Sequence, residues 1–281
     1  MFVKLGELLD ISKVESLESV ASLINDSAIQ EHFKKVATDL KKIAPYDSEA
    51  LIIIGNYPMI YYVYKSLRQC KKVDKIVISG PVEALRNLLG REENLHFIAP
   101  GEDVVESLAN AVQILDDLGA SERLLVMPTD IPFITTEAID DFIDRTESIE
   151  ADFFYPVTSR EVNEAKYPGV VRTYVKLREG TFTGGNLFIV RKAVVRQSID
   201  LARAIIARRK NPLAIARIFG VRMVVKYLWG RLTFKQAEKR FQEVLGIRGK
   251  AVVSGYAEVG VDVDKPSDLE LAQKYLGEIV F

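Results

Sequence analysis

The residue best placed to do chemistry is Asp130, which follows a short apolar run and stands between two prolines. The run Leu124–Met127 has the profile of a buried parallel strand, and a helix is predicted from about Thr135. In open α/β sheets, ligands bind in the crevice outside the carboxyl ends of the strands. A carboxylate held there by Pro128 and Pro132 is therefore a candidate metal ligand. The alternative is an aspartate that only shapes the turn.

The elements that position Asp130 alternate regularly from Glu49 onward. The apolar runs are Leu51–Ile54, Lys75–Ser79, Leu95–Ile98 and Leu124–Met127, and amphipathic helices are predicted at Met59–Gln69, Val82–Leu89 and about 104–118. A capping-box pattern begins the third helix at Asp103, and another begins a later helix at Thr233. Strands alternating with helices of this length predict a three-layer αβα fold with a mostly parallel sheet.

Two helical segments lie outside this alternation. Residues 1–45 are predicted to be peripheral helices, and residues 46–281 form the α/β domain with a helical insertion at about 192–250. The segment 199–248 within the insertion is rich in arginine and lysine. Either it packs an apolar face on the domain with its charges in solvent, or it makes a peripheral contact with an anionic membrane.

The composition excludes several classes of protein. The chain has 281 residues, of which 48% are hydrophobic and 27% charged, and a net charge of −1, which predicts an ordinary globular protein without nucleic acid as a partner. Cys70 is the single cysteine, which fits a reducing cytoplasm. His32 and His96 have no ligand spacing, which argues against a zinc hydrolase. No stretch reaches the ~18 apolar residues of a membrane span.

Four stretches of the chain occur in a recognisable order, namely Asn56–Ile60, Pro128–Phe133, Gly180–Asn186 and Val261–Leu269. Their order resembles the MobA-like (molybdenum-cofactor guanylyltransferase-like) NTP transferase family, which has the nucleotide-diphospho-sugar transferase fold. The resemblance covers roughly residues 46–190 and 251–277. It implies an Mg²⁺-dependent enzyme that moves an NMP group from an NTP to a small phosphorylated or sugar-like acceptor and releases pyrophosphate.

The resemblance also assigns roles to individual residues. It makes Asp130 the catalytic metal ligand and one of Asp262 and Asp264 the second ligand. The residues expected to contact the nucleotide or the acceptor are Ser107, Asn110, Thr129, Arg172, Lys176, Gly184, Gly185 and Asn186, with Lys166 and Arg178 as further candidates for the phosphates. The plain alternatives are a solvated strand edge for the two late aspartates, a tight turn for the glycine pair, and an ordinary helix surface for Ser107 and Asn110.

One motif of the family is missing. The family begins with a glycine-rich loop whose backbone N–H groups hold the triphosphate, whereas no glycine occurs here between Gly6 and Gly55. Either other groups hold the phosphates, or the loop has been lost together with catalysis, or the true start of the protein lies elsewhere. The second alternative predicts a silent relative that binds a nucleotide or a partner, with NTP affinity no better than roughly millimolar. Phe2–Leu5 is the sole early candidate for the family's central strand.

Overall fold

The computed structural model of the protein describes residues 40, 44–45, 48–170, 172–199, 203, 223, 226–227 and 229–281. The predicted helices of the first 45 residues and the candidate strand Phe2–Leu5 therefore fall almost entirely outside the described residues. Half of the basic segment 199–248 does so as well, and its contact with a membrane stays an untested alternative. Within the described ranges, no helix combines the length and the apolar run that crossing a bilayer requires.

Between residues 57 and 166 the described elements alternate between strands and helices, and three strands then follow one another. The strands are β1 (Ile53–Ile54), β2 (Tyr57–Pro58), β3 (Ile76–Ser79), β4 (Leu95–Ile98), β5 (Arg123–Val126), β6 (Phe153–Ser159), β7 (Val175–Leu177), β8 (Gly180–Gly184), β9 (Phe188–Arg191) and β10 (Gly249–Ser254). The helices are α1 (Met59–Gln69), α2 (Val82–Leu89), α3 (Val104–Asp117), α4 (Thr136–Glu147), α5 (Arg160–Lys166), α6 (Lys192–Gln197), α7 (Phe234–Leu245) and α8 (Pro266–Leu276). Single 3₁₀ turns lie at Glu49–Leu51 and Ala257–Gly260.

Both predicted capping boxes begin helices in the structure. The side chain of Asp103 accepts a hydrogen bond from the Glu106 N–H at 2.7 Å, and Thr233 accepts one from Gln236 at 3.2 Å. These bonds satisfy N–H groups that the first helical turn leaves without a partner. The predicted starts of α3 and α7 are thus confirmed.

The central sheet contains six strands in the order β5-β9-β6-β8-β7, with β10 paired to β6. The α/β class is confirmed, but the sheet is less parallel than predicted, because within it only the β10–β6 pairing is parallel. Antiparallel neighbours need only short connections, and β7, β8 and β9 follow one another closely in the chain. Since β5 and β6 each run antiparallel to β9, strands β5, β6 and β10 point the same way. Their carboxyl ends therefore share one edge.

Strands β8 and β9 form one interrupted neighbour of β6. Gly184 pairs with Val157, and Ile189 pairs with Phe154 further along the same strand. Between these pairs the chain leaves the ladder, and the Gly185 N–H donates to the Pro156 carbonyl at 2.8 Å. Such an interruption re-aims side chains in the way a β-bulge does.

The predicted strand Leu51–Ile54 is shorter in the structure, because the 3₁₀ turn Glu49–Leu51 covers its first residue and only Ile53–Ile54 form β1, which pairs with β2. Helix α8 supplies the partner that a neighbouring strand would have provided. The Gln273 side chain donates to the Ile53 carbonyl at 2.9 Å and accepts from the Gly55 N–H at 2.8 Å. Tertiary pairing with a side chain thus decides the local structure at this point.

The end of the chain carries the Val261–Leu269 motif, which runs from a 3₁₀ turn into the last helix. Residues Ala257–Gly260 form a 3₁₀ turn, and the following residues are extended without belonging to a described strand. Helix α8 begins at Pro266, and Lys265 occupies its cap position. Proline at the first helical position is favoured because its missing N–H would have no partner there.

The core fixes the loop that follows Asp130. Ile131 and Phe142 are fully buried, and they belong to one apolar cluster with Phe154, Leu187 and Val259. This cluster joins α4, β6, the β8–β9 interruption and the 3₁₀ turn at Ala257–Gly260. Close packing of this kind holds the backbone on either side of the sheet edge in one arrangement.

Candidate functional site

Asp130 lies in the loop after β5, at the edge where β5, β6 and β10 end. Its carbonyl accepts a hydrogen bond from the Val263 N–H at 2.8 Å, which ties the loop to the Val261–Asp264 segment. Its Oδ1 is buried and has no hydrogen-bond partner. Burial raises the pKa of the Asp130 carboxyl to about 6, and the negative charges of Asp262 and Glu49 add to the rise. A carboxylate in this position favours the arrival of a cation.

The alternation of Val261, Asp262, Val263 and Asp264 decides where the two late aspartates point. Both valines are buried, at 2% and 0% exposure, so the extended backbone turns the aspartates away from that core. Partial desolvation and the charges of Asp262 and Asp130 raise the pKa of Asp264 to about 7, although the residue as a whole is exposed. The structure therefore brings Asp130, Asp262 and Asp264 into one electrostatic cluster.

Arg172 reaches this cluster from the stretch between α5 and β7. Its Nη1 donates to Oδ1 of Asp262, and the two side chains are only 15% and 22% exposed. The Nε of Arg172 is buried without a partner. The predicted phosphate ligand Arg172 thus lies at the site, paired with a predicted metal ligand.

The glycine pair brings the β8–β9 interruption close to the 3₁₀ turn at Ala257–Gly260. A Cβ on Gly185 would stand 2.7 Å from Pro156 Cγ and 3.0 Å from the Val259 carbonyl oxygen, so a larger residue does not fit. The Asn186 N–H donates to that carbonyl at 2.7 Å, while the Asn186 Nδ2 is buried without a partner. Gly185 is thus needed for a close approach of two backbones, and Asn186 keeps a free donor nearby.

Tyr155 is a residue that the sequence reasoning missed. A Cβ on Gly184 would clash with its Oη. Although the residue as a whole is exposed, partial desolvation and the charge of Asp262 raise the pKa of the Tyr155 phenol, while the opposite charge of Arg172 lowers it. Its place on β6, directly before Pro156, gives no motif by which the sequence could have revealed it.

Ser107, Asn110, Thr129 and Lys176 remain predicted contacts of the nucleotide or the acceptor. Ser107 completes the first turn of α3, because its Oγ accepts from the Gly101 N–H at 2.9 Å and donates to the Asp103 carbonyl at 2.9 Å. Asn110 is exposed on the same helix, and Thr129 is half-buried beside Asp130. Lys176 is exposed on β7, with its methylene carbons 3.3 Å from where a Cβ on Gly230 would be. Among the described residues, no hydrogen bond or ion pair links Ser107, Asn110 or Lys176 to the aspartates.

A cavity of about 570 Å³ opens at the same edge, between α4, α5 and residues 255–258. Glu258 is 4% exposed there and lies 3.3 Å from the Lys166 Nζ. The Lys166 side chain, a candidate for the phosphates, is thus engaged by Glu258. The cavity lining contains neither Asp130 nor the late aspartates.

The donor set of the aspartate cluster limits how a metal could be held. In the described ranges, no group of three or more His, Cys, Asp or Glu side chains has the arrangement of a metal site. Mg²⁺ usually takes one or two carboxylates and completes its shell with water and substrate phosphates. The unpartnered Oδ1 of Asp130 beside Asp262 fits that kind of site.

Comparison with known proteins gives consistent results. A profile of the MobA-like NTP transferase domain matches residues 47–233. A hypothetical transferase from Thermus thermophilus is 36% identical, with 79% of this chain and 90% of that one covered and a TM-score of 0.70. A search of curated proteins gave no match to the chain.

Two further solved structures share the fold at 14% identity. They are 4-diphosphocytidyl-2C-methyl-D-erythritol synthase from Anaerococcus prevotii, with a TM-score of 0.52, and CMP:2-keto-3-deoxy-manno-octonic acid synthetase complexed with CTP, with a TM-score of 0.53. The matches cover 80% of this chain and 88% of the first protein, and 82% of this chain and 92% of the second.

Proposed function

The chain belongs to the MobA-like NTP transferase family, and from that premise we propose that it is an Mg²⁺-dependent nucleotidyltransferase. It transfers an NMP group from an NTP to a small phosphorylated or sugar-like acceptor and releases pyrophosphate. Family membership supports nucleotidyl transfer in general, while the metal and the class of acceptor belong to the proposal.

One observation carries the proposal. Two segments that are more than 130 positions apart in the sequence meet at the carboxyl edge of β5 and β10, joined by the bond from Val263 to Asp130. Each segment brings a carboxylate to this edge, and one carboxylate oxygen of Asp130 is buried without a hydrogen-bond partner. Like charges placed together at an electrostatic cost indicate a site that a cation completes. Asp130 with Asp262 or Asp264 would hold Mg²⁺ there.

The chemistry asks mainly for positioning and charge. When bound, Mg²⁺ would neutralise charge on the phosphates as the pyrophosphate leaves. The guanidinium of Arg172 is suited to phosphate oxygens because its planar donors match them in pairs. The Nδ2 of Asn186 can donate a hydrogen bond to the acceptor substrate. Gly184 and Gly185 let the backbone come close to that substrate. Preorganised groups of this kind can supply most of the rate enhancement.

A pyrophosphate-release assay tests the proposal. The full chain is incubated with Mg²⁺ and each of the four NTPs against a panel of sugar phosphates and other phosphate esters. We expect one NTP–acceptor pair to react, and Asp130→Asn to reduce the rate at least ~10²-fold. Asp117→Asn, which removes an exposed carboxylate from the end of α3, is the matched control. A wild-type rate in Asp130→Asn would remove Asp130 from the mechanism.

A second candidate function is a silent relative that binds a nucleotide without transferring it. The observation in its favour is Glu49, whose 3₁₀ turn lies near Asp130 and whose negative charge raises the pKa of that carboxyl. An acid disfavours a triphosphate, whereas the family's glycine loop would attract one. Titration calorimetry with Mg²⁺ and each NTP separates the two functions. Affinities of roughly millimolar or weaker favour the silent relative, and micromolar affinity contradicts it.

A further inference from the structure

The ion pair between Arg172 and Asp262 lies inside the site rather than on the surface of the protein. Both side chains are largely withdrawn from solvent, so water and salt screen their attraction less than they screen an exposed pair. Among the described residues, no other basic side chain lies within ion-pair distance of Asp262. The pair leaves part of the guanidinium unsatisfied, because the buried Nε of Arg172 has no hydrogen-bond partner.

The surroundings of the pair are rich in negative charge. Asp130, Asp262, Asp264 and Asp268 approach one another, and the Nζ of Lys265 stands 4.0 Å from Asp268. Asp262 occupies the middle of the group, since its charge acts on both Asp130 and Asp264. A cation on Asp262 therefore relieves repulsion across the whole cluster, and Arg172 provides that cation when no metal is present.

We propose that Arg172 is a stand-in cation that holds Asp262 in the metal-free chain and gives it up when a divalent metal arrives, moving its guanidinium to the phosphates. The inference rests on the proposed function, because it takes Asp262 as the second metal ligand. A divalent ion and a guanidinium on one carboxylate repel each other, so the two compete for Asp262. Once released, Arg172 stays within reach of a polyphosphate bound to the same metal, where its planar donors find a new anion.

If Arg172 and the metal compete for Asp262, removing the guanidinium should change two affinities in opposite directions. Removing the guanidinium strengthens binding of the metal alone, because the ion no longer has to displace a partner from Asp262. The same change weakens binding of a metal–polyphosphate complex, because the new anion loses its ligand. A residue that only stabilised the fold would weaken both. Couplings between sites typically change affinity by 5- to 150-fold, so we expect about a 5- to 50-fold change in each direction.

The experiment uses Mn²⁺ as the metal and inorganic triphosphate as the anion. Free Mn²⁺ is followed by electron paramagnetic resonance while the metal-free full chain is titrated at pH 8, first without and then with triphosphate. Arg172→Gln is expected to bind Mn²⁺ about 5- to 50-fold more tightly than the wild type and Mn²⁺–triphosphate more weakly. Arg86→Gln is the matched control, since it removes another arginine–carboxylate pair, with Glu83 on α2. Its two affinities should equal those of the wild type.

Two further variants keep the inference open to refutation. Asp262→Asn should abolish tight Mn²⁺ binding both alone and combined with Arg172→Gln, which assigns the effect to this carboxylate. If Arg172→Gln does not fold, Arg172→Lys replaces it, because a compact, strongly hydrated ammonium competes less well and should still tighten Mn²⁺ binding. Circular dichroism confirms that each variant is folded.

The outcomes separate this inference from the proposed function. Equal or weaker Mn²⁺ binding in a folded Arg172→Gln overturns the stand-in role. Absence of Mn²⁺ binding in every variant, with pyrophosphate release still present, overturns it as well and leaves nucleotidyl transfer in place. Absence of both Mn²⁺ binding and pyrophosphate release overturns the proposed function and this inference together.

Discussion

Replacing Asp130 by asparagine should make the metal-free protein more stable at neutral pH. Asparagine keeps the shape of the side chain but never carries its charge. The Asp130 carboxyl is largely enclosed and lies beside the charges of Asp262 and Glu49, so its ionised form is unfavourable in the folded chain. The stabilisation should therefore appear only at pH values where the carboxyl of the unfolded wild-type chain is ionised.

The sign and the size of this change in unfolding free energy follow from the raised pKa of Asp130. Below pH ~4 the Asp130 carboxyl is protonated in both the folded and the unfolded chain and costs nothing. Between pH 4 and 6 the unfolded chain ionises first, so the free energy of unfolding falls as the pH rises. Above the folded pKa of about 6 the loss is complete. A rise of the pKa from 3.8 to about 6 corresponds to a loss of at most about 3 kcal/mol. Because the side chain is partly exposed, screening by solvent reduces the loss, and we expect about 1–3 kcal/mol.

Urea unfolding followed by circular dichroism at pH 4.5, 6 and 8, with EDTA present, measures this effect. The difference in unfolding free energy between Asp130→Asn and the wild type should grow from pH 4.5 to pH 8 by about 1–3 kcal/mol. Asp117→Asn, at an exposed position, should give a difference that changes by less than about 0.5 kcal/mol over the same range. A difference for Asp130→Asn that stays constant or shrinks with pH would refute the electrostatic reasoning.

Three further predictions concern the frame around the site, and each is measured as a change in unfolding free energy by urea denaturation. Gly185→Ala should destabilise the protein by about 1–3 kcal/mol, because its Cβ would press on Pro156 and on the Val259 carbonyl; a neutral result would mean that the two backbones separate freely. Gly55→Ala should lower the free energy of unfolding by more than Gly119→Ala does, and the loss for Gly119→Ala should be about 1 kcal/mol. Both glycines have positive φ, but only at Gly55 would the Cβ meet backbone, 2.6 Å from Gly277 Cα, and equal costs would show that α8 yields. Phe142→Ala should cost about 3–5 kcal/mol as a cavity in the main cluster, and a loss below 1 kcal/mol would contradict the packing described.

Local patterns in the sequence determined most of the elements. Helix α2 has the predicted bounds Val82–Leu89, and Asp103 and Thr233 cap the helices that their patterns announced. Periodicity and capping depend on residues within one or two turns, so the sequence alone is enough to reveal them. The same holds for Asp262 and Asp264, because alternation with buried valines decides which way both side chains point. The order of motifs was enough to predict the family, which the matched domain confirms.

Only the tertiary structure decided which strands pair and which charges meet. The antiparallel run of β8 and β9 along β6, and the shortening of the predicted strand Leu51–Ile54 to the hairpin strand β1, depend on distant partners such as Gln273. Pairing energy comes from residues far away in the chain, and local propensity carries no record of it. The same reason explains the site. The sequence could nominate Asp130, Arg172 and Asp262, but the bond from Val263 to Asp130 and the ion pair of Arg172 with Asp262 exist only because folding closes the distance between three separate segments.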